Sequence, residues 1–328
     1  MSNFWEKLKK TGSPVLVLAP MAGITDSPFR QICRGFGADV VVSEMASATA
    51  LVYAPKKTLA MLTSVKAEAP YVIQLFGSNP EHFAKAVKLL TDIKAVKKLG
   101  VSNYRLPDGL DINFGCPVAK VLKQGAGCAL FKDLAKSRQV IEAVLANTNL
   151  PVSIKTRTQA GQVNILDWLD NIADLPISAL MIHGRTLAQG FSGPVDYKII
   201  KEARQHFKGV IIANGGINNS TGAKEVLKAS VADGLGIGRG ALGHPWIFQE
   251  LQPKADPPLA EKNKKTPPRD VRKIILQHAK LVEKYNGNFG EFRKHLCWYA
   301  TGLPNAKKLR GEFIKVNSLK DVKGIFNF

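Results

Sequence analysis

Residues 210–240, VIIANGGINNSTGAKEVLKASVADGLGIGRG, decide the fold. A short apolar run ends in Asn-Gly-Gly, an amphipathic stretch follows, and a second apolar run ends in another glycine-rich loop. A short apolar run bounded by glycines is typical of a buried strand, and the segment between the two runs has helical periodicity. The stretch therefore predicts two parallel strands joined by a helix.

The same alternation extends from the N-terminus to about residue 245. Apolar runs predict eight strands: Val15–Met21, Ala38–Met45, Tyr71–Gly77, Leu110–Cys116, Val152–Arg157, Ala179–Arg185, Val210–Gly215 and Leu235–Arg239. Amphipathic stretches predict helices at Glu81–Leu99, Ser137–Asn147, Ile165–Leu175, Tyr197–Phe207 and Ser220–Ala229. Eight strands with crossovers in a segment of this size are typical of a TIM barrel. We therefore predict an α/β fold, a TIM (β/α)8 barrel, over residues 1–252.

A segment rich in proline and lysine, residues 253–268, interrupts the alternation and predicts a linker. Beyond it, two apolar stripes have helical spacing. The first stripe contains Ile274, Ile275, His278, Leu281, Val282 and Tyr285, and the second contains Phe289, Phe292, Leu296 and Tyr299. We predict a C-terminal all-helical domain over residues 269–328.

Positive charge is concentrated in this C-terminal part. The chain has a formal net charge of +20, and residues 253–328 supply half of it, with 17 Lys and Arg against 7 Asp and Glu. Such a surplus is typical of a polyanion partner, because Lys and Arg replace the counterions of phosphates. A general bias toward lysine is the alternative. The basic residues of the predicted helices include Arg272, Lys273, Lys280, Lys284, Arg293, Lys294, Lys307, Lys308 and Arg310.

Cysteine content and hydropathy indicate the compartment. Four cysteines without a Cys-x-x-Cys pair do not make a disulfide framework, so a reducing environment is expected. The N-terminus has no apolar signal core, and no apolar run approaches the roughly 18 residues of a membrane span. We expect a cytoplasmic protein that is a monomer and has no membrane contact.

Several polar residues stand where predicted strands end, which is the active face of this barrel. Gln74 offers both a donor and an acceptor, which suits the edge of a pyrimidine-like ring. Lys155 follows an apolar run, where a charge is costly unless it meets an anion or a carbonyl. The plain alternative for Gln74 is a surface amide. For His183, at the end of the sixth predicted strand, it is a structural histidine.

Cys116 stands between Gly115 and Pro117 at the end of the fourth predicted strand. A thiol at that position is well placed for acid–base or nucleophilic chemistry. A small buried residue is the commoner role of a lone cysteine. Cys128, among glycines and apolar residues, competes for the chemical role but has surroundings that suggest packing.

Glycine-rich loops follow the last two predicted strands. Asn214, Gly215 and Gly216 form one loop, and Gly238 with Arg239 lies in the other. Loops after strands 7 and 8 are the usual phosphate site of a TIM barrel, and an arginine suits a dianion. A dinucleotide-binding interpretation is weak, because no further strand with an acidic residue follows.

These motifs together resemble the tRNA-dihydrouridine synthases, which are FMN enzymes that reduce uridine in tRNA, and most closely the bacterial B-type subfamily. The resemblance rests on segments in the family's order along nearly the whole chain: APMAGITDSPFR, QLFG, DINFGCP, SIKTR, IHGRT, ANGGI, GIGRGALGHPWIF and RKHLCWY. It implies a TIM barrel and a helical tRNA-binding domain. It also implies reduction of the uracil C5=C6 bond with FMN, which NADPH or NADH would first reduce.

The resemblance also implies roles for single residues. Cys116 would be the catalytic acid. Residues lining the flavin or binding its ring would be Pro20, Met21, Ala22, Gln74 and Lys155. Residues holding its ribityl phosphate end would be His183, Asn214, Gly215, Gly216, Gly238 and Arg239. The substrate would be a D-loop uridine of tRNA, and no metal is implied.

Three departures from the family pattern bear on loop contacts and substrate fit. Gly216 stands where many relatives carry an aspartate, residues 158–163 are not the family's usual glycine-containing turn, and residues 99–109 resemble an insertion. Two other functions remain alternatives. An FMN barrel acting on a small molecule, such as a dihydropyrimidine or dihydroorotate dehydrogenase, explains the barrel motifs. An RNA-binding or chaperone protein that retains a flavin explains the charge.

Overall fold

The computed structural model describes residues 3–252, 270–285 and 287–326. Eight parallel strands form the barrel: β1 Val15–Leu18, β2 Val40–Val42, β3 Tyr71–Phe76, β4 Gly109–Asn113, β5 Val152–Arg157, β6 Ala179–His183, β7 Val210–Asn214 and β8 Gly234–Ile237. The strand order is β2-β1-β8-β7-β6-β5-β4-β3, and the pairing of Val41 with Tyr71 joins β2 to β3 and closes the ring. The predicted TIM barrel is confirmed.

Most predicted strands extend too far at their C-terminal ends. β1 ends at Leu18 rather than Met21, and β4 ends at Asn113 rather than Cys116. The residues beyond these ends belong to loops that face the open end of the barrel. Short paired segments lie outside the ring: Ala46–Ser47 beside the end of β3, and the hairpin Gln159–Ala160 with Val163–Asn164.

Helices cover the barrel and continue past it. Their bounds are α1 Phe4–Lys9, α2 Ser27–Gly35, α3 Ala48–Tyr53, α4 Pro55–Met61, α5 Pro80–Thr91, α6 Ile93–Lys98, α7 Ala119–Leu122, α8 Cys128–Phe131, α9 Leu134–Leu145, α10 Ile165–Asp170, α11 Tyr197–His206, α12 Ser220–Ser230, α13 Ile247–Glu250, α14 Val271–Tyr285, α15 Phe289–Tyr299, α16 Ala306–Phe313 and α17 Leu319–Phe326. Among these described helices, none combines the length and the apolarity that a membrane crossing requires.

The single helix predicted over Glu81–Leu99 is wrong, because the chain forms α5 and α6 there. Asp92, between them, has extended backbone angles, and its side chain accepts hydrogen bonds from the Lys94 and Ala95 amides at 2.9 and 3.0 Å. An aspartate in that position caps a new helix instead of continuing the old one.

The barrel is closed at its N-terminal end. Trp5 of α1 is buried against barrel residues such as Val15, Val40 and Val210. The open end therefore lies at the C-terminal ends of the strands, where the loops meet.

The C-terminal helices pack on the barrel through α2. Phe29 of α2 lies 5.9 Å from the His278 ring and 4.6 Å from the His295 ring, measured between ring centroids. Ile32 of α2 belongs to the same apolar cluster as the buried faces of α14 and α15. Gly243, at φ +65°, lets the backbone of Trp298 approach to a distance that a side chain would prevent.

All four residues of the second apolar stripe are buried, as predicted. The Tyr299 hydroxyl lies 3.2 Å from His278 Nδ1 inside the same apolar cluster, so this side chain packs in the core. The predicted linker lies outside the described residues, and the division into two domains stays a prediction.

Candidate active site

A cavity of about 410 Å³ opens at the C-terminal end of the barrel. All twelve residues singled out from the sequence line it: Pro20, Met21, Ala22, Gln74, Cys116, Lys155, His183, Asn214, Gly215, Gly216, Gly238 and Arg239. They come from seven of the eight strands and the loops that follow them. A concave site with a partly apolar lining and a few convergent polar groups is the usual form of a ligand site.

The fourth loop separates the two competing cysteines. Cys116 is half-buried and lines the cavity, whereas Cys128 begins α8, is fully buried and lies in the hydrophobic core. Burial raises the pKa of the Cys128 thiol to about 11. Gly127, at φ +60°, lies directly under Cys116, where a Cβ atom would come within 2.7 Å of the Cys116 carbonyl oxygen.

Lys155 lines the cavity, and the oppositely charged Asp111 lies beneath it without lining it. Burial, followed by the nearby Arg157, lowers the pKa of Lys155 to about 8, against the opposing effect of Asp111. Burial raises the pKa of Asp111 to about 6. Burial thus disfavours the charged form of each group, and the opposite charge of the other group partly compensates.

His183 is neutral and held in one tautomer. Burial and the surrounding cations, Lys155 foremost, lower its pKa to about 2. The Arg185 guanidinium lies 3.3 Å from His183 Nε2. Because arginine can only donate, Nε2 accepts and Nδ1 carries the hydrogen.

In the loop after β7, two glycines expose their backbone to the cavity. Gly215 has φ +107°, and a Cβ atom there would lie 2.7 Å from His183 Cδ2. Gly216 has φ +76°, and a Cβ atom there would lie 2.5 Å from the Tyr197 hydroxyl oxygen, which itself donates to the Gly215 carbonyl. The geometry therefore requires glycine at 216 in this chain and accounts for one departure from the family pattern.

The sequence reasoning missed Phe191 at the rim. The residue is 58% exposed, and its ring lies 4.8 Å from the Arg239 guanidinium and 5.4 Å from that of Arg157. It stands between Gly190 and Gly193, both at positive φ. An aromatic residue between two glycines was the available signal. Asn113 and Arg157 also line the cavity. They belong to the segments DINFGCP and SIKTR, but the sequence assigned no role to either residue.

The fold and cavity define a TIM-barrel enzyme with a cofactor-sized, cation-lined site. Comparison with known proteins narrows this class. Residues 17–326 match the family model described as dihydrouridine synthase. The chain is 33% identical over 322 residues to a probable tRNA-dihydrouridine synthase of Rickettsia bellii (strain RML369-C), covering 93% of this chain and 90% of that protein. It is 34% identical over 318 residues to tRNA-dihydrouridine synthase B of Pseudomonas syringae pv. tomato, covering 94% and 88%.

Solved structures share the fold at low identity. The 2-naphthoyl-CoA reductase complex with 2-naphthoyl-CoA has a TM-score of 0.53 at 11% identity, covering 72% of this chain and 49% of that one. Histamine dehydrogenase from Rhizobium sp. 4-9 has a TM-score of 0.50 at 13% identity, covering 71% and 45%. These likenesses concern the fold alone.

The chain belongs to the dihydrouridine synthase family, and its relatives include B-type members. It is therefore an oxidoreductase that forms dihydrouridine from uridine, and the family and the flavin-site motifs agree on a flavin cofactor. Family membership excludes both alternatives, the small-molecule dehydrogenase and the non-enzymatic RNA-binding protein.

Proposed function

We propose that this chain reduces the C5=C6 bond of a D-loop uridine in tRNA, with FMN as cofactor and NADPH or NADH as the source of electrons. The observation that carries the proposal is the convergence of Cys116 and the predicted flavin residues on one cavity. Relatives at about a third identity carry the name tRNA-dihydrouridine synthase over nearly the same length.

The residues of the cavity fit FMN at both of its ends. Gln74 and Lys155 offer donors, an acceptor and a positive charge to the polar edge of the ring. The amides after β7 and β8, with Arg239, offer donors to a phosphate dianion. Gly215 and Gly216 leave no side chain between these amides and the cavity. Bound FMN would supply the hydride that uridine reduction needs.

Cys116 is the proposed proton donor. A thiol can hold one proton and release it to a carbon of the base as the hydride arrives at its neighbour. Its backbone N–H donates to Asn113 Oδ1 at 2.9 Å, so the loop that carries the thiol is tied to the end of β4. Arg157 supports the same loop, because its Nε donates to the Gly115 carbonyl at 3.0 Å.

The C-terminal helices are the proposed docking surface for tRNA. Exposed cations on them include Arg272, Lys273, Lys280, Lys284, Lys294, Lys307, Lys308 and Arg310. Phosphate contacts give affinity and orientation without sequence choice, so the cavity would select the uridine. The target base must leave the tRNA stack to enter, at a cost of a few kcal/mol. We place the reaction in the cytoplasm, where the four thiols would stay reduced.

The test in cells is nucleoside mass spectrometry of tRNA from a strain lacking the gene and from the strain with the gene restored. The proposal expects one tRNA position to be dihydrouridine in the strain with the gene restored. In the strain without the gene, the same position is expected to be uridine, which has two hydrogens fewer. Identical dihydrouridine content at every position in both strains would contradict it.

A further inference from the structure

Four buried polar side chains form a continuous hydrogen-bonded chain beneath the cavity. Gln74, Asp111 and Ser153 lie on β3, β4 and β5, at positions no more than 5% exposed. Gln74 Nε2 donates to Asp111 Oδ2 at 2.7 Å. Ser153 Oγ donates to Asp111 Oδ1, also at 2.7 Å. Asp111 therefore has both carboxyl oxygens engaged by neighbouring strands.

The chain continues toward the loop of the proposed acid. Asn113 Nδ2 donates to Gln74 Oε1 at 2.9 Å. Asn113 Oδ1 accepts from the backbone N–H of Gly115 at 3.1 Å and of Cys116 at 2.9 Å. A single line of contacts thus connects Asp111 to the residue that carries the thiol.

The two ends of this chain fix its direction. Backbone N–H groups can only donate, so Asn113 must turn its oxygen toward them and its nitrogen toward Gln74. An ionised carboxylate only accepts, so Gln74 must turn its nitrogen toward Asp111. A side-chain amide can be rotated by 180° with little change in shape, and here both amides are held in one of their two orientations.

We propose that Asp111 and Asn113, at the two ends of this hydrogen-bonded chain, are positioning residues that together set the orientation of the Gln74 amide toward the flavin. Asp111 does not touch the cavity itself. With one N–H and one lone pair taken inside the chain, Gln74 presents its other N–H and its other lone pair at fixed places. The inference rests on the proposed function, because it assumes that the flavin ring meets Gln74.

A pair of substitutions can reverse the donor-to-acceptor direction of this hydrogen-bonded chain without removing any of its hydrogen bonds. In Asn113→Asp, two carboxylates flank Gln74, so one oxygen must face another whichever way the amide turns. In the double variant Asp111→Asn, Asn113→Asp, the amide of Gln74 rotates, donates to residue 113 and accepts from residue 111. Every member is again satisfied, but the donor and acceptor facing the cavity have exchanged places.

Asp111→Asn alone is the matched control. Its new amide oxygen can accept from Gln74 while its nitrogen donates to Ser153 Oγ, which already lies 3.3 Å from the Leu110 carbonyl as a second acceptor. This variant loses the charge of Asp111 but keeps the direction of the chain.

The experiment compares thermal unfolding of the flavin-free proteins with the dissociation constant of FMN, read from quenching of flavin fluorescence. We expect Asn113→Asp to unfold at a lower temperature than the wild type, and the double variant to recover the unfolding temperature of Asp111→Asn. We expect the double variant to bind FMN at least roughly tenfold more weakly than Asp111→Asn. The Gln74 N–H would then face a donor of the flavin, and the Gln74 oxygen would face an acceptor.

Three results would overturn the proposal: a double variant that binds FMN as tightly as Asp111→Asn, an Asp111→Asn protein that binds as weakly as the double variant, or no recovery of stability in the double variant. Failure of the wild-type protein to bind FMN would instead contradict the proposed function. The unfolding temperatures test the direction of the chain in either case.

Discussion

The mouth of the barrel and the C-terminal helices both carry positive charge, and they hold it in different ways. Arg157 and Arg185, in the mouth, are 2% and 9% exposed. Arg157 donates to the carbonyls of Gly115, Thr186 and Gly190. On α14, the side chains of Arg272 and Lys273 are 59% and 78% exposed.

This difference corresponds to two kinds of anion. Cations fixed by backbone carbonyls define one place for one charged group and lose little conformational entropy when it binds. Exposed lysines and arginines adapt to a row of phosphates, and their contribution falls as salt rises. The contrast predicts that substitutions in the mouth change chemistry and cofactor binding, whereas substitutions on the helices change tRNA binding and its salt dependence.

The largest expected effect comes from the mouth. Cys116→Ala should bind FMN and tRNA normally, but reduced flavin should be oxidised by tRNA about 10²-fold more slowly or worse, because the proton donor is lost. Stopped-flow absorbance of the flavin measures this step. Cys128→Ala is the control, and loss of the step in Cys128→Ala but not in Cys116→Ala would identify the other thiol as the acid.

The second-largest effect is expected for tRNA binding by the C-terminal helices. Lys280 and Lys284 lie one turn apart on the exposed face of α14. Replacing both with glutamine should weaken tRNA binding at 0.1 M salt by roughly 25- to 60-fold if both contact phosphates, and should reduce the slope of log K against log salt by roughly 1.4–1.8. Filter binding at several salt concentrations measures both values. FMN affinity should not change, and an unchanged salt slope would remove α14 from the RNA surface.

A third substitution tests the phosphate end of the cavity. Arg239→Ala should weaken FMN binding by roughly tenfold or more, because a charge-assisted contact is lost. Lys308→Ala, on exposed α16, is the matched removal of a cation outside the mouth. Equal FMN dissociation constants for the two variants in fluorescence titration would show that Arg239 does not bind the phosphate.

The smallest effect is a pH dependence. The lowered pKa of Lys155, about 8, means that its charge is present below that pH and is lost as pH rises through it. FMN affinity should therefore fall by up to roughly tenfold between pH 7 and pH 9. Lys155→Met should bind FMN more weakly and with a flat profile over this range. A wild-type profile as flat as that of Lys155→Met would contradict the role of this charge.

The sequence predicts the barrel well because every strand must be buried on both faces. Apolar runs such as Val210–Gly215 are therefore recognised directly as strands, and their glycine-rich ends mark the open face. The break at Asp92 is harder to predict, because the apolar stripe continues across it and the capping role depends on the local backbone. Chain order also places α14 and α15 after the barrel without indicating that Phe29 of α2 packs against them.

The sequence likewise predicts some residues of the site and not others. Residues at strand ends, such as Gln74 and Lys155, are found because the barrel brings all strand ends together. Asp111 occupies the middle of β4 and is separated from the cavity by Gln74, so its importance depends on contacts between strands. Phe191 reaches the cavity from a long loop, and loop conformation does not follow from periodicity.

The most direct test is a reaction of the purified, FMN-loaded protein with an unmodified tRNA transcript and NADPH, followed by mass spectrometry of the digested RNA. The account predicts that one uridine gains two hydrogens with the wild-type protein, and that Cys116→Ala leaves nearly all of it unreduced in the same time. A tRNA unchanged by the FMN-loaded wild-type protein, or reduced at the same rate by Cys116→Ala, would contradict the account.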